Sequence, residues 1–235
     1  MQASASMRWF VAIAFLVFVP APSAAPMPDK APQRFEDGMM IRFHMHENYG
    51  VVRAIERLLL RGKLEEAKQL AAAIGEAPDE PGLSALSTRA AEVRRKALEV
   101  ARAKTLAEAI SREAQLAHAC ATCHADAGVI PDLESPPPVP PDRDTIDARM
   151  ARHLWAADRL WVGIVADSPT AWTSGLELLA RGSRVWPALP ASKVTFADRL
   201  QRTAETARRM KTTPIEKRAE TYGALLEVCA SCHTN

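Results

Sequence analysis

Apolar residues recur at intervals of three and four along most of the chain, which is the spacing of one face of an α-helix. The first half contains four such stretches, at about 39–60, 64–74, 84–103 and 105–124. Gly62 and the segment from Pro78 to Pro81 interrupt the pattern, and the two later stretches are rich in residues that favour helix, such as Ala, Glu, Arg and Leu. This half of the chain therefore predicts four helices.

A proline-rich segment, residues 131–143, cannot continue a helix and favours an extended spacer. Beyond it the helical pattern begins again, with stretches at about 144–166, 169–179, 195–210 and 214–233. Ser168 with Pro169, and Thr213 with Pro214, are residue pairs typical of helix starts. The sequence thus predicts an all-α protein with one four-helix domain over residues 26–130, a linker over 131–143 and a second four-helix domain over 144–235.

Charge and the N-terminal residues indicate where the protein acts. The net charge of the 235 residues is +2, which is too small to indicate nucleic acid or an anionic membrane as partner. Residues 1–25 combine Arg8, an apolar run and the small residues of a cleavage region, as in a signal peptide. The run is short for a membrane span. We expect a periplasmic protein that is not stably inserted in the membrane after cleavage, with an uncleaved anchor as the alternative.

All four cysteines belong to two copies of one pentapeptide pattern, Cys-x-x-Cys-His. The first copy is Cys120, Cys123 and His124, and the second is Cys229, Cys232 and His233. In an exported protein this pattern attaches a c-type haem, since the thiols add to the vinyl groups and the histidine binds the iron. Positions i, i+3 and i+4 share one helix face, so each set can reach one porphyrin.

Three other uses of these cysteines stay open, namely structural disulfides, a redox-active dithiol and a zinc site. A disulfide framework needs no histidine after the second cysteine of both copies, and zinc needs both motifs brought together to supply four thiolates. Two covalently bound haem c groups are therefore the prediction.

The two motifs lie 109 positions apart, and the same offset aligns apolar residues elsewhere. It places Ile55 on Ile164 and Leu116 on Leu225. This pattern predicts a tandem duplication of one helical unit.

The same offset places His44 on His153. Each lies near the start of the first helix of its half, the end at which an antiparallel four-helix bundle also places the end of its last helix. His44 and His153 are therefore predicted as second iron ligands, opposite His124 and His233. The alternative is that both are core histidines bonded to backbone. Met40 and Met150 are rival ligands, but they do not match at the offset.

Helical periodicity also sorts the neighbouring side chains. It groups His44 with the apolar stripe of the first helix, and it groups His46 with Arg53 and Arg57 on a solvated stripe. His118 has no histidine at the matching position, so we expect it at the surface or beside a haem propionate. Tryptophans such as Trp161 are expected in the apolar core.

Four antiparallel helices with Cys-x-x-Cys-His at the end of the fourth resemble the class II c-type cytochromes, the cytochrome c-prime family. The specific residues are the ten of the two pentapeptides that begin at Cys120 and Cys229. The resemblance implies two tandem four-helix bundles of this type. Members are five-coordinate, or six-coordinate with a ligand from the first helix, and His44 and His153 would place this chain in the second group.

The resulting hypothesis is a dihaem electron carrier, not an enzyme, with both irons held by two imidazoles and with redox proteins as partners. The alternatives are a gas-binding cytochrome with a five-coordinate iron and a dihaem peroxidase-like enzyme. The oligomeric state stays open.

Overall fold

The computed structural model describes residues 31–79, 81–131, 133, 136–181, 189–210 and 213–234. For residues 31–37 and 81 it describes the backbone alone. The predicted signal peptide, residues 1–25, lies outside the described part of the chain.

Every regular element among the described residues is helical, so the prediction of an all-α protein is confirmed. The α-helices are α1 (Ala31–Leu60), α2 (Leu64–Gly75), α3 (Ser87–Ala101), α4 (Leu106–Asp126), α5 (Ile146–Val165), α6 (Pro169–Ala180), α7 (Ala191–Arg208) and α8 (Ile215–Thr234). None of the helices in these ranges is long and apolar enough to cross a membrane.

Several helix starts follow directly from side-chain capping. The hydroxyls of Thr105, Thr145 and Ser168 each accept a hydrogen bond from the backbone N–H three residues ahead, at 3.2, 3.3 and 3.2 Å. Pro169 occupies the first position of α6, where a missing N–H costs nothing.

Other boundaries differ from the prediction. Helix α1 begins eight residues earlier than expected, at Ala31. The stretch predicted as a single helix over 84–103 divides into a 3-10 helix, Pro81–Leu86, and α3. Helix α7 begins at Ala191, directly after Pro190, instead of at Thr195.

Helices that follow one another in the sequence pack against each other, from α1 to α4 and from α5 to α8. The two halves also touch, chiefly through α4 and α8, with further contacts of α4 with α5 and of α1 with α8. At the crossing of α4 and α8, a Cβ added to Gly223 would lie 3.3 Å from the Cβ of Ala114, so glycine permits this close approach. Buried side chains from every α-helix form one continuous hydrophobic core.

The directions of the helices place the motifs at opposite ends of this contact. His118, late in α4, lies 4.0 Å from Glu216 at the start of α8, so the two helices run antiparallel. The end of α1 in turn meets the end of α8. Gly62 has a φ of 73°, and a Cβ there would lie 2.5 Å from Cγ2 of Thr234. Each Cys-x-x-Cys-His motif therefore lies close to residues of the other half.

Candidate haem-attachment sites

The two motifs occupy the last turns of α4 and α8. In the first motif, Cys120, Cys123 and His124 are all half-buried, whereas in the second His233 is exposed. The four cysteines form no disulfide with one another. Each motif thus presents two thiols and an imidazole from one helix.

The environment of the thiols differs from that of a redox-active pair. Burial, together with the nearby Cys123 and Glu113, raises the pKa of Cys120 to about 12. Burial, together with Cys232 and Glu56, likewise raises the pKa of Cys229 to about 12. Reactive Cys-x-x-Cys pairs have a lowered pKa, because the thiolate is their working form. The direction of these shifts disfavours the dithiol alternative.

A hydrogen bond across the two halves orients the first histidine. Nδ1 of His124 lies 3.3 Å from the carbonyl oxygen of Val165, the last residue of α5. A carbonyl only accepts, so Nδ1 carries the proton and donates it, which leaves the lone pair on Nε2. Val165 provides one of the helix-end carbonyls that have no partner within α5. The ring is thus held in the tautomer that binds a metal through Nε2.

In the second half, the structure brings His153 close to His233. Burial, together with the nearby Arg149, Arg152 and His233, lowers the pKa of His153 to about 4. The imidazole is therefore neutral at physiological pH, which is the form that coordinates metals.

The ammonium group of Lys193, at the start of α7, donates to the carbonyl oxygen of Cys232 and holds the last turn of α8 in place.

In the first half, His44 is half-buried on α1, a helix that packs against α4. Its Nε2 is 2.8 Å from the side-chain amide nitrogen of Asn48, so the amide donates to the ring. His46 is exposed, as predicted. Of the rival methionines, Met40 is 60% exposed and Met150 is half-buried.

The prediction that Arg53 lies on a solvated stripe is wrong, because the residue is only 5% exposed. Its guanidinium bonds to Glu56 on α1 and to Asp158 on α5. It also lies 5.3 Å from the ring centre of Trp161, a cation–π contact. Helix α1 therefore has a second buried face, which packs on the other half of the molecule.

Glu113 of α4 and Tyr222 of α8 complete this buried polar cluster. Glu113 and Glu56 are both 0% exposed, and neither oxygen of Glu113 has a hydrogen-bond partner among the described residues. The hydroxyl of Tyr222 faces Glu56 but makes no hydrogen bond of normal geometry. The ring of Tyr222 packs against Trp161, with centroids 6.3 Å apart.

Burial sets the protonation states in the cluster. It raises the pKa of Glu113 well above that of an ordinary glutamate, and the negative charge of Glu56 adds to the rise. Burial also raises the pKa of Glu56, but direct contact with Arg53 opposes the rise. Burial disfavours the charge of Arg53 too, yet the carboxylate of Glu56 raises its pKa above the usual value. Arg53 and Glu56 therefore form an ion pair, and Glu113 holds a proton.

A sequence signal for this cluster exists. Glu113 lies three residues after Ile110 and three before Leu116, and Glu56 lies four residues after Val52 and three before Leu59, so both acids interrupt apolar stripes. Only the contact between the halves shows why such positions are occupied by acids.

The remaining predicted residues fall in varied places. His118 is half-buried between α4 and α8, so it is not simply a surface residue. Trp161 is in the core, as expected, and Trp172 is also buried. The half-buried Trp155 instead donates to the carbonyl of Pro137, which joins the proline-rich segment to α5. Trp186 lies outside the described residues.

Within the described residues, no three His, Cys, Asp or Glu side chains form a group that could hold a metal ion. The motif cysteines therefore do not converge as a zinc site would require. Comparison with known protein families, curated proteins and solved structures finds no match.

Proposed function

We propose that the chain is a periplasmic dihaem c-type cytochrome that carries single electrons between redox proteins. Its two halves, residues 26–130 and 144–235, would be tandem four-helix bundles of the cytochrome c-prime type. The observation that carries the proposal is the bond from Nδ1 of His124 to the carbonyl of Val165. Together with Cys120 and Cys123 on the same helix, it leaves a correctly oriented Nε2 for an iron.

The residues present fit a covalently attached haem in each half. Cys120, Cys123, Cys229 and Cys232 are half-buried and free of disulfides, so they can form thioether bonds to the vinyl groups. His124 and His233 would bind the irons. When bound, haem supplies a reversible one-electron couple. The chain fixes the orientation of the His124 ring, keeps the imidazole of His153 neutral and limits the access of water.

For the second haem, the neutral and half-buried His153 beside His233 supports coordination by two imidazoles. A neutral ring does not have to lose a proton before it binds a metal at physiological pH. Held by His233 and His153 together, this haem would supply one-electron exchange without binding a small ligand.

For the first haem, one observation favours a second candidate function, which is gas binding at a five-coordinate iron. Nε2 of His44 already accepts a hydrogen bond from Asn48 at 2.8 Å. Coordination through Nε2 would have to replace that bond. If the bond persists in the holoprotein, the first iron keeps an open position for a small ligand such as carbon monoxide, while the second remains an electron carrier.

The test is to produce the protein with a bacterial c-type haem maturation system and to measure mass, haem content and optical spectra. We expect two covalent haems and low-spin spectra. His153→Ala should open one iron to carbon monoxide, and His44→Ala should open the other. His46→Ala is the matched control, because His46 is exposed on the same helix as His44 and should change nothing. Absence of covalent haem would refute the proposal, and carbon monoxide binding to one haem of the unmodified protein would favour the second candidate.

A further inference from the structure

We propose that Glu113 is a proton site linked to the redox state of the haems, so that one proton is bound when an electron arrives and is released when it leaves. The inference rests on the proposed function and extends it to proton coupling. It concerns a carboxyl that the electron-carrier proposal does not itself use.

Glu113 is buried on α4, on the same helix as the first Cys-x-x-Cys-His motif. The residue lies seven positions before Cys120 on α4, which is two helical turns, or about 10 Å along the axis. It is 0% exposed, and within the described part of the chain neither carboxyl oxygen has a hydrogen-bond partner. A carboxylate in such a place is strongly destabilised, so the group holds a proton that a nearby change of charge can move.

The buried cation near Glu113 is already bonded to other carboxylates. Among the groups around Glu113, Arg53 is the buried cation, and its guanidinium is already bonded to Glu56 and Asp158. From α8, the facing group is the neutral phenol of Tyr222. Glu113 is thus left with no counter-charge of its own.

The other helices that touch α4 do not alter this balance. Helix α2 contributes apolar side chains to the core, among them Ala67, Ala71 and Ile74. The acidic and basic groups of α3 that reach α4 form the outer ion pairs Arg112 with Glu99 and Arg89 with Asp126. These pairs are more exposed than the cluster, so solvent screens their effect on Glu113.

The cluster is electrostatically connected to both motifs. The charge of Glu113 acts on Cys120, and that of Glu56 acts on Cys229. Because the interior screens charges weakly, a change of one unit at either motif acts on the buried carboxyls. Asp158, with 53% of its side chain exposed, brings the cluster to the solvent.

The proposed step transfers one electron and one proton. At a pH where Glu113 is ionised beside an oxidised haem, an electron supplied by a donor protein to a haem held at Cys120 and Cys123 would lower the positive charge near Glu113 by one. The carboxylate of Glu113 would then take one proton from solvent. When an acceptor protein removed the electron, the O–H bond would break and the proton would return to solvent.

The test is the midpoint potential of the holoprotein as a function of pH, for the unmodified protein, Glu113→Gln and the control Glu220→Gln. Glu220 is exposed on α8 and pairs with Lys217. Between the pKa of Glu113 beside an oxidised haem and its higher pKa beside a reduced haem, the potential of the unmodified protein should fall as the pH rises. A tenfold change in proton activity corresponds to at most about 59 mV for one electron. The Glu113→Gln variant should lose this dependence, and Glu220→Gln should keep it.

An equal pH dependence in Glu113→Gln would overturn the inference while the electron-carrier function stands. Absence of covalent haem, read from the spectrum, would instead refute the proposed function. Reduced-minus-oxidised infrared spectra of the unmodified protein give a second measurement that does not depend on the variant's folding. We expect the band of a protonated carboxyl to grow on reduction, and no change in that band would also overturn the inference.

Discussion

Ala114 of α4 and Gly223 of α8 meet where the two helices cross, and they stand 109 positions apart, the same offset that separates the two Cys-x-x-Cys-His motifs. Their neighbours Glu113 and Tyr222 are related by the same offset and lie in one buried cluster. A two-fold axis between two copies of a unit brings equivalent positions face to face. The contact between the halves is therefore centred on this pair.

Replacing Gly223 with leucine should separate α4 from α8. A Cβ at this position is already within 3.3 Å of Ala114, so a larger side chain has no space without moving a helix. We expect a loss of about 1–3 kcal/mol in the free energy of unfolding, measured by urea denaturation. Ala224→Leu is the control, because Ala224 is the next residue of α8 and is exposed. Equal stability of the two variants would contradict the close packing.

Replacing Arg53 with methionine should leave Glu56 buried without its counter-charge. Breaking a buried ion pair by removing one partner costs about 3–5 kcal/mol of unfolding free energy. The double variant Arg53→Met, Glu56→Met should recover most of this loss, since no buried charge then remains unpaired. Arg57→Met, at an exposed position one turn away, should have little effect. Denaturant titration of the four proteins tests the ion pair, and a neutral Arg53→Met variant would argue against it.

The raised pKa of Glu113 makes stability depend on pH. The folded protein keeps a proton on Glu113 at pH values where the unfolded chain has lost it, so stability is greatest below the ordinary glutamate pKa and falls as pH rises towards the folded-state pKa. One proton contributes a slope of at most about 1.4 kcal/mol per pH unit. In Glu113→Gln this contribution should disappear, whereas Glu220→Gln should behave like the unmodified protein. Unfolding free energies measured at several pH values decide the matter, and identical slopes would exclude a protonated Glu113.

Replacing Lys193 with methionine should loosen the end of α8. The ammonium group of Lys193 satisfies the carbonyl of Cys232, one of the helix-end carbonyls without a partner in α8. We expect a stability loss of about 1 kcal/mol and faster amide hydrogen exchange confined to the last turn of α8. Lys217→Met removes an exposed lysine with 61% side-chain exposure and serves as the control. Unchanged exchange at Cys232 and His233 would show that the contact does not hold this turn.

Helical periodicity and capping residues were sufficient to predict most of the helices. Thr105 and Ser168 begin α4 and α6 because their hydroxyls satisfy local N–H groups, which is a property of neighbouring residues alone. The early start of α1 at Ala31 was missed, since the apolar periodicity on which the prediction rested begins only at Met39.

The buried cluster could not be predicted in the same way. Assigning Arg53 to a solvated stripe assumed that α1 buries one face, and that assumption fails where the second half covers another face. The comparison at the offset of 109 likewise matched only apolar residues. It therefore did not pair Glu113 with Tyr222, which stand at equivalent positions but carry different side-chain groups. Local pattern determines which residues form a helix, whereas partners distant in the sequence determine the environment of its charges.

The meeting of Glu113 with Tyr222 has a consequence for how this contact can evolve. In an assembly of two identical chains, any substitution near the symmetry axis appears twice, so an acid there would confront a second copy of itself. Joining the copies in one polypeptide removes that constraint. One side can keep an ionisable carboxyl while the other supplies a phenol, and the surroundings of the two Cys-x-x-Cys-His motifs can then diverge within a single folded body.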